Sequence, residues 1–252
     1  MASIPLQTGI TYGPILSRRL GRSLGINLLG TQRKVCSFDC IYCQYGSARV
    51  VESPNIGEFV PAVGDVLSAV EKAIRKPRTI DYLTFSGNGE PTLHPEFYEI
   101  VKGVYNLRNR FRPEAQLALL SNSTRVTEKH VFSALKLMDA TMMKLDAGDE
   151  ETFRVINRPA PTINFKEILE GLKQISNLTI QSMLVDGVVS NIRGDAYQAW
   201  AMTLADLKPS EIQIYTIERP SASDQVRPVY PRKLQNIATD VCARFNLSVQ
   251  VF

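Results

Sequence analysis

Seven short apolar runs alternate with six amphipathic stretches, and this alternation restricts the fold more than any other feature of the chain. The runs at 24–29, 80–86, 116–121, 140–146, 178–186, 211–218 and 247–252 are rich in aliphatic residues and bounded by Gly, Pro, Asn or Ser, as strands are. Between them, residues 62–75, 96–109, 127–137, 165–175, 195–207 and 231–245 repeat their apolar positions at helical spacing. A strand followed by a crossover helix and another strand predicts a parallel sheet with helices on its outer face. About six such units predict an α/β chain folded as a partial (β/α)6 parallel barrel, short of the closed eight-fold form. No linker-like or low-complexity segment interrupts the series. One domain is therefore expected over 1–252, with 1–20 as an N-terminal extension and the core from about 21.

Strand periodicity also sorts the polar residues. Met142, Lys144 and Asp146 share one face of their run, and Gln181 and Met183 share one face of the next. Gln213, Tyr215 and Arg219 share a face opposite Ile212 and Ile214. With the apolar faces under the helices, the polar set lines the barrel interior, where a charge is costly unless it meets a ligand or another charge. Polar groups at barrel mouths commonly serve function; a structural network is the alternative. On this argument Lys144, Asp146 and Tyr215 are candidates for catalysis, Gln181 for a cofactor and Arg219 for a substrate.

Three of the four cysteines, Cys36, Cys40 and Cys43, fall within eight residues. Such crowding suits metal binding in a reducing compartment better than a disulfide framework. No apolar run approaches the ~20 residues of a membrane span, and residues 1–19 lack the basic start and compact apolar stretch of a secretory signal. A cytoplasmic protein without membrane attachment is expected. The spacing C-x3-C-x2-C leaves two chemistries open. A structural zinc site closes with four ligands, and no nearby Cys or His supplies the fourth; His94 and His130 are distant in sequence, though not thereby in space. An iron-sulfur cubane ordinarily takes four cysteines too. Three would leave one iron open, and the amino and carboxylate groups of a methionine moiety are suitable ligands for it.

Arg18, Arg19, Arg22, Arg33 and Lys34 concentrate before the cysteines, while a net charge of +4 does not by itself imply nucleic acid. A solvated basic segment and an anion site are both open there. Arg18, Arg19 and Arg22 suit a phosphate or carboxylate on a substrate, because a guanidinium pairs bidentately with either. Cys242 recurs with Ile237, Val241 and Phe245 at helical spacing and is expected as a buried core thiol. His94, beside Pro95 at a helix start, is expected to be structural.

The cysteine spacing, with Tyr42 directly before the last cysteine, resembles the signature of the radical S-adenosylmethionine (radical SAM) superfamily. Ser86-Gly87-Asn88-Gly89-Glu90-Pro91 is similar to the Gly-Gly-Glu-Pro segment that follows the second strand in that superfamily, with an extra Asn88 between the glycines. The series of βα units also fits the superfamily's partial barrel. More narrowly, Ser17-Arg18-Arg19-Leu20-Gly21-Arg22-Ser23-Leu24-Gly25 resembles a group related to wyosine-type iron-sulfur oxidoreductases. Lys144-Leu145-Asp146-Ala147, Glu151-Thr152-Phe153 and Ile156-Asn157-Arg158-Pro159 are similar to that group too.

The resemblance implies a [4Fe-4S] cluster held by Cys36, Cys40 and Cys43, with S-adenosylmethionine bound beside it. It implies reductive cleavage of the sulfonium to methionine and a 5′-deoxyadenosyl radical, which abstracts hydrogen from a substrate. Tyr42 then borders the cluster and the adenine. Gly87 and Gly89, with Asn88 between them, let backbone groups approach the methionine moiety, and Glu90 receives its ammonium. Ser121 and Asn122 contact ribose or carboxylate, or else cap the next helix. A reducing partner such as flavodoxin or ferredoxin is expected, and the substrate is open among a small molecule, a peptide and RNA. The alternatives are a wyosine-type tRNA enzyme, an activase for a glycyl-radical partner, and a non-catalytic iron-sulfur or zinc module that binds RNA. The first uses a second cluster on further cysteines, of which only Cys242 remains; the last has no need of the Glu90 turn.

Overall fold

The computed structural model describes residues 4–51, 60–219, 221 and 223–252. It begins with β1 (Thr11–Ser17), β2 (Gly21–Ile26), β3 (Val35–Cys36), β4 (Arg49–Val50), α1 (Val63–Ile74) and β5 (Tyr82–Phe85). A 3₁₀ turn at Pro91–Leu93 leads to α2 (Phe97–Phe111), β6 (Gln116–Ser121), α3 (Lys129–Leu135) and β7 (Ala140–Lys144). Then come α4 (Glu150–Asn157), α5 (Phe165–Leu172), β8 (Thr179–Met183), β9 (Val185–Gly187) and α6 (Gly194–Leu207). The chain closes with β10 (Glu211–Tyr215), β11 (Val226–Pro228), α7 (Pro231–Phe245) and β12 (Val249–Val251).

Eight strands make one sheet in the order β1-β2-β5-β6-β7-β8-β10-β12. From β2 to β12 every neighbouring pair is parallel. Each step between them is a helical crossover, as the alternation of patterns predicts. The two ends of the order are not joined to each other, so the barrel is partial. The sequence reading places no element before residue 24, yet β1 extends the sheet as an antiparallel edge strand. It also omits α4, which Asp149 caps by accepting from the Thr152 N–H at 2.7 Å.

The outer face of the sheet is the core. Leu24 and Ile26 stand in register with Leu83 and Phe85, which pair with Leu117 and Leu119. Met143, Ile180 and Ile212 continue the row, and all are fully covered by the helices. Burying each such side chain contributes roughly 1.5–3 kcal/mol. Trp200 of α6 backs the strand ends that carry the site, donating from Nε1 to Leu145 O at 3.2 Å and Ser182 Oγ at 3.0 Å. One expectation fails here. α7 buries Leu234, Ile237, Ala238 and Val241, and Cys242 falls one step off that stripe and is exposed.

The inner face is built differently. At one end Leu20, Ala118 and Met142 form a small apolar floor. Gly25 lacks a side chain because the Tyr12 ring occupies the place its Cβ would take, 2.0 Å away. Past this floor the inward residues are polar, with Lys144, Gln181 and Gln213 in one row across β7, β8 and β10. The interior placement read from strand alternation therefore holds. Among the described residues no helix is long and apolar enough to cross a membrane.

Candidate active site

The cysteines lie on the loop that follows β2, and the residues between them fasten it. Phe38 is buried against the Phe153 ring at 5.3 Å between centroids, and Ile41 is 2 % exposed. Backbone bonds from Ile41 N to Ile156 O (3.0 Å) and from Ala160 N to Ser37 O (2.9 Å) tie the loop to α4 and the turn beyond it. Asp39 caps the return of the loop by accepting from Ala48 N–H at 2.7 Å. Phe38 and Ile41 thus point into the apolar core and fix the loop that carries the thiols.

Burial pushes the Cys36 thiol up to about 12 and raises that of Cys40 as well. Asn122 Nδ2 approaches Cys36 Sγ at 3.5 Å, and Asn157 Nδ2 approaches Cys40 Sγ at 3.4 Å. Lys34 is 6 % exposed and donates to Gly46 O at 3.0 Å. Burial alone would lower its pKa, but negative charge on Cys43, Cys36 and Cys40 outweighs burial and the ammonium is held above its ordinary value. Three thiols, amide donors aimed at two sulfurs and a buried cation suit a polynuclear iron-sulfur group of net negative charge. His94, with Nε2 2.9 Å from Pro61 O and Nδ1 accepting from Glu96 N–H at 3.1 Å, is spent on structure.

The glycine loop after β5 packs directly on the cysteine segment. Val35 N donates to Asn88 O at 3.1 Å, and Glu90 N donates to Val35 O at 3.2 Å. A Cβ on Gly89 would lie 1.6 Å from Val35 O, and its φ of +145° is open only to glycine. Gly87, at φ +139°, likewise admits Asn27. The glycines therefore let two backbone segments meet; approach to a ligand was the sequence expectation. Asn88 is fully buried, exchanges two bonds of 2.8 Å with the Gln7 backbone and donates to Gly30 O at 3.2 Å. Its side chain braces the N-terminal segment beneath the loop.

Glu90 Oε1 accepts from Thr92 N–H (3.1 Å), Thr92 Oγ1 (2.6 Å) and Ser121 Oγ (2.8 Å), and Oε2 accepts from Asn122 N–H at 2.6 Å. Burial raises its pKa against those four donors. Oε2 keeps the larger spare acceptor capacity. Ser121 and Asn122 are thus drawn to Glu90 and, through Asn122 Nδ2, to Ser37 Oγ at 2.8 Å.

On the other side of the cysteines, Asp146 accepts from the Tyr42 hydroxyl, from Asn157 Nδ2 at 2.7 Å and from Met183 N–H at 2.8 Å. Lys144 Nζ stands 3.6 Å from Asp146, 5.3 Å from the Tyr42 ring centre and 3.5 Å from Tyr215 Oη. Burial would lower the Lys144 pKa, but Asp146 opposite it prevails and the ammonium is held up. Burial, reinforced by Asp146, holds the Tyr42 hydroxyl well above its ordinary value. Gln181 donates to Gln213 Oε1 at 2.8 Å within the same interior.

The four arginines do not act together. Arg22 pairs with Asp81 through Nε (3.0 Å) and Nη2 (2.8 Å) at the opposite ends of β2 and β5 from the cysteines. That placement removes it from the candidate anion site. Arg18 is clasped to Glu218 at 2.7 Å, and Arg219 is exposed on the loop after β10. Arg19 alone reaches the interior, over the Tyr215 ring at 4.7 Å. Sequence reasoning assigned no role at the site to Asn157, and took Lys34 only as part of the basic segment before the cysteines. The Ile156-Asn157-Arg158-Pro159 run was visible, but its amide finds Cys40 only through the fold.

Comparison with known proteins agrees with this geometry. The Radical SAM superfamily model matches residues 34–199. A UPF0026 protein of Helicobacter pylori is 33 % identical over 219 residues, covering 84 % of this chain and 68 % of the relative. Among solved structures, TYW1 with a lysine-pyruvate adduct bound superposes with a TM-score of 0.60 at 14 % identity, covering 88 % of this chain and 74 % of that one. Streptococcus suis SuiB bound to S-adenosylmethionine gives 0.61 at 12 % identity, over 87 % of this chain and 48 % of that one. With the motif, the barrel and the family match in agreement, the chain belongs to the radical SAM superfamily and is an enzyme of its [4Fe-4S]- and S-adenosylmethionine-dependent kind.

Proposed function

We propose that Cys36, Cys40 and Cys43 carry the cluster and that the methionine end of S-adenosylmethionine rests on Glu90, Ser121 and Asn122. Hydrogen is then taken from a substrate in the barrel interior beside Lys144, Asp146, Gln181 and Tyr215. The observation that supports this reading is the chain of bonds from Glu90 to Asn122 and on to Cys36, which joins a carboxylate and a thiol through the residue after β6. When bound, the cluster supplies the electron that cleaves the sulfonium and so yields the 5′-deoxyadenosyl radical. The protein's own residues bind, orient and exclude water. The Glu90 carboxylate offers Oε2 to an ammonium. Tyr42, 7 % exposed, walls the site on the side of Asp146. Lys144 is a fixed cation in this arrangement, because Asp146 keeps it protonated.

The lysine-pyruvate adduct named for TYW1 belongs to that protein. Four free cysteines support a cytoplasmic enzyme acting as one domain and reduced by a flavodoxin or ferredoxin.

Anaerobic reconstitution tests the reading. The expected result is about four irons per chain, a cluster signal perturbed by S-adenosylmethionine, and release of 5′-deoxyadenosine on reduction. Cys40→Ala should lose the cluster and Cys242→Ser should keep it. Full iron loading with cofactor cleavage by Cys40→Ala would overturn the ligand assignment.

A further inference from the structure

The hairpin turn between β1 and β2 spends its basic residues in three different ways. Ser17 Oγ accepts from the N–H groups of Arg19 (3.3 Å) and Leu20 (3.2 Å) and so shapes the turn. Arg18 reaches across the open side of the barrel to Glu218, on the loop that follows β10. Leu20 turns inward, 4 % exposed, onto Ala118 and Met142. Gly21 takes φ +59°, with Asp81 where its Cβ would be, and Arg22 is fixed on the same Asp81.

Arg19 is held between the outward clasp and the inward plug. Its guanidinium lies over the Tyr215 ring, a cation–π contact at 4.7 Å, and Nη1 is buried with no hydrogen-bond partner. A buried donor left unpaired destabilises the chain until a partner arrives. Lys144, on the hydroxyl of the same tyrosine, has Asp146 as its counter-charge; among the described residues Arg19 has no carboxylate partner. Arg19 is therefore a cation without a carboxylate partner among the described residues, and its guanidinium is shaped for an oxyanion.

We propose that Arg19 receives an anionic group of the substrate, a carboxylate or a phosphate, and that the Arg18–Glu218 clasp keeps it facing the site. This rests on the radical SAM reading above and names the substrate class for it. We assign the anion to the substrate and not to the carboxylate of S-adenosylmethionine. Glu90 follows β5, whereas Tyr215 ends β10, four places along the sheet. Because Nη1 is buried, only a group that enters the barrel reaches it, which favours a small acidic molecule over the outer backbone of a folded RNA.

The test uses the full chain, reconstituted anaerobically with S-adenosylmethionine, and two probes, inorganic phosphate and acetate. Each is titrated separately by ³¹P or ¹³C NMR. Saturable binding of one probe identifies the oxyanion. Arg19→Gln should weaken that binding at least tenfold, Arg19→Lys should weaken it less, and Arg22→Gln should leave it unchanged. The response of the cluster's EPR signal to S-adenosylmethionine should match the parent protein in every variant. If neither probe saturates the parent protein, or if Arg19→Gln binds as the parent does, the inference is wrong. If Arg19→Gln does not fold, parent-like binding by Arg19→Lys decides against the bidentate site. Loss of the EPR response in the parent protein would instead overturn the radical SAM reading.

Discussion

The Asn157 side-chain amide donates to Asp146, Nδ2 to Oδ2 at 2.7 Å, from the last residue of α4. The same nitrogen lies 3.4 Å from Cys40 Sγ, so its two hydrogens serve a carboxylate and a sulfur. Asn157→Leu should destabilise the apo chain by about 1–3 kcal/mol, as loss of a buried donor does. It should also lower the midpoint potential of the reconstituted cluster, since donors to sulfur raise it. Urea unfolding and an EPR-monitored redox titration read the two effects; an unchanged potential would show that the amide serves Asp146 alone.

Gly89→Ala brings a methyl group to 1.6 Å from Val35 O at a backbone angle that only glycine tolerates. The cysteine segment must move or the loop must open. We expect a loss of about 3 kcal/mol or more, with iron uptake falling in parallel, as measured by denaturation and iron analysis.

Glu90→Gln keeps the shape but turns one acceptor oxygen into a donor. That amide must face either Asn122 N–H or the Thr92 and Ser121 donors. Stability should fall by about 1–3 kcal/mol, and S-adenosylmethionine binding, followed by equilibrium dialysis, should weaken at least tenfold. Binding at parental strength would remove Glu90 from the methionine site.

The Arg22–Asp81 pair gives a pH signature away from the site. Hydrogen bonds from Arg22 depress the Asp81 carboxyl from 3.8 to about 2. A depressed acid stabilises the folded state above its unfolded value and loses that contribution as pH falls through the folded one. The stability gap between the parent and Arg22→Ala should therefore be full at pH 5 and above, and should shrink between about 4 and 2. A gap that is constant across this range in chemical denaturation would exclude the pair as its source.

The sequence made the cysteine cluster, the order of βα units and the inward polar row legible, because each depends on local spacing or strand alternation. Contacts made across the fold were not. Asn88 reads as part of a ligand loop until Gln7 is seen bonded to it. Arg18, Arg19 and Arg22 look equivalent until the β1–β2 hairpin sends each in a different direction. Cys242 follows helical spacing, yet it stands about 100° around α7 from Val241. A period of three or four residues identifies a stripe but not its exact margin.

The bonds between Asn88 and Gln7 have a practical meaning for anyone who shortens this protein. A variant lacking residues 1–9 would strip Gln7 from the underside of the glycine loop and leave both ends of a buried amide without those partners. The damage would appear as weak cofactor retention, although the deleted segment carries no ligand. Terminal trimming, usually harmless, here loosens the foundation of the catalytic pocket.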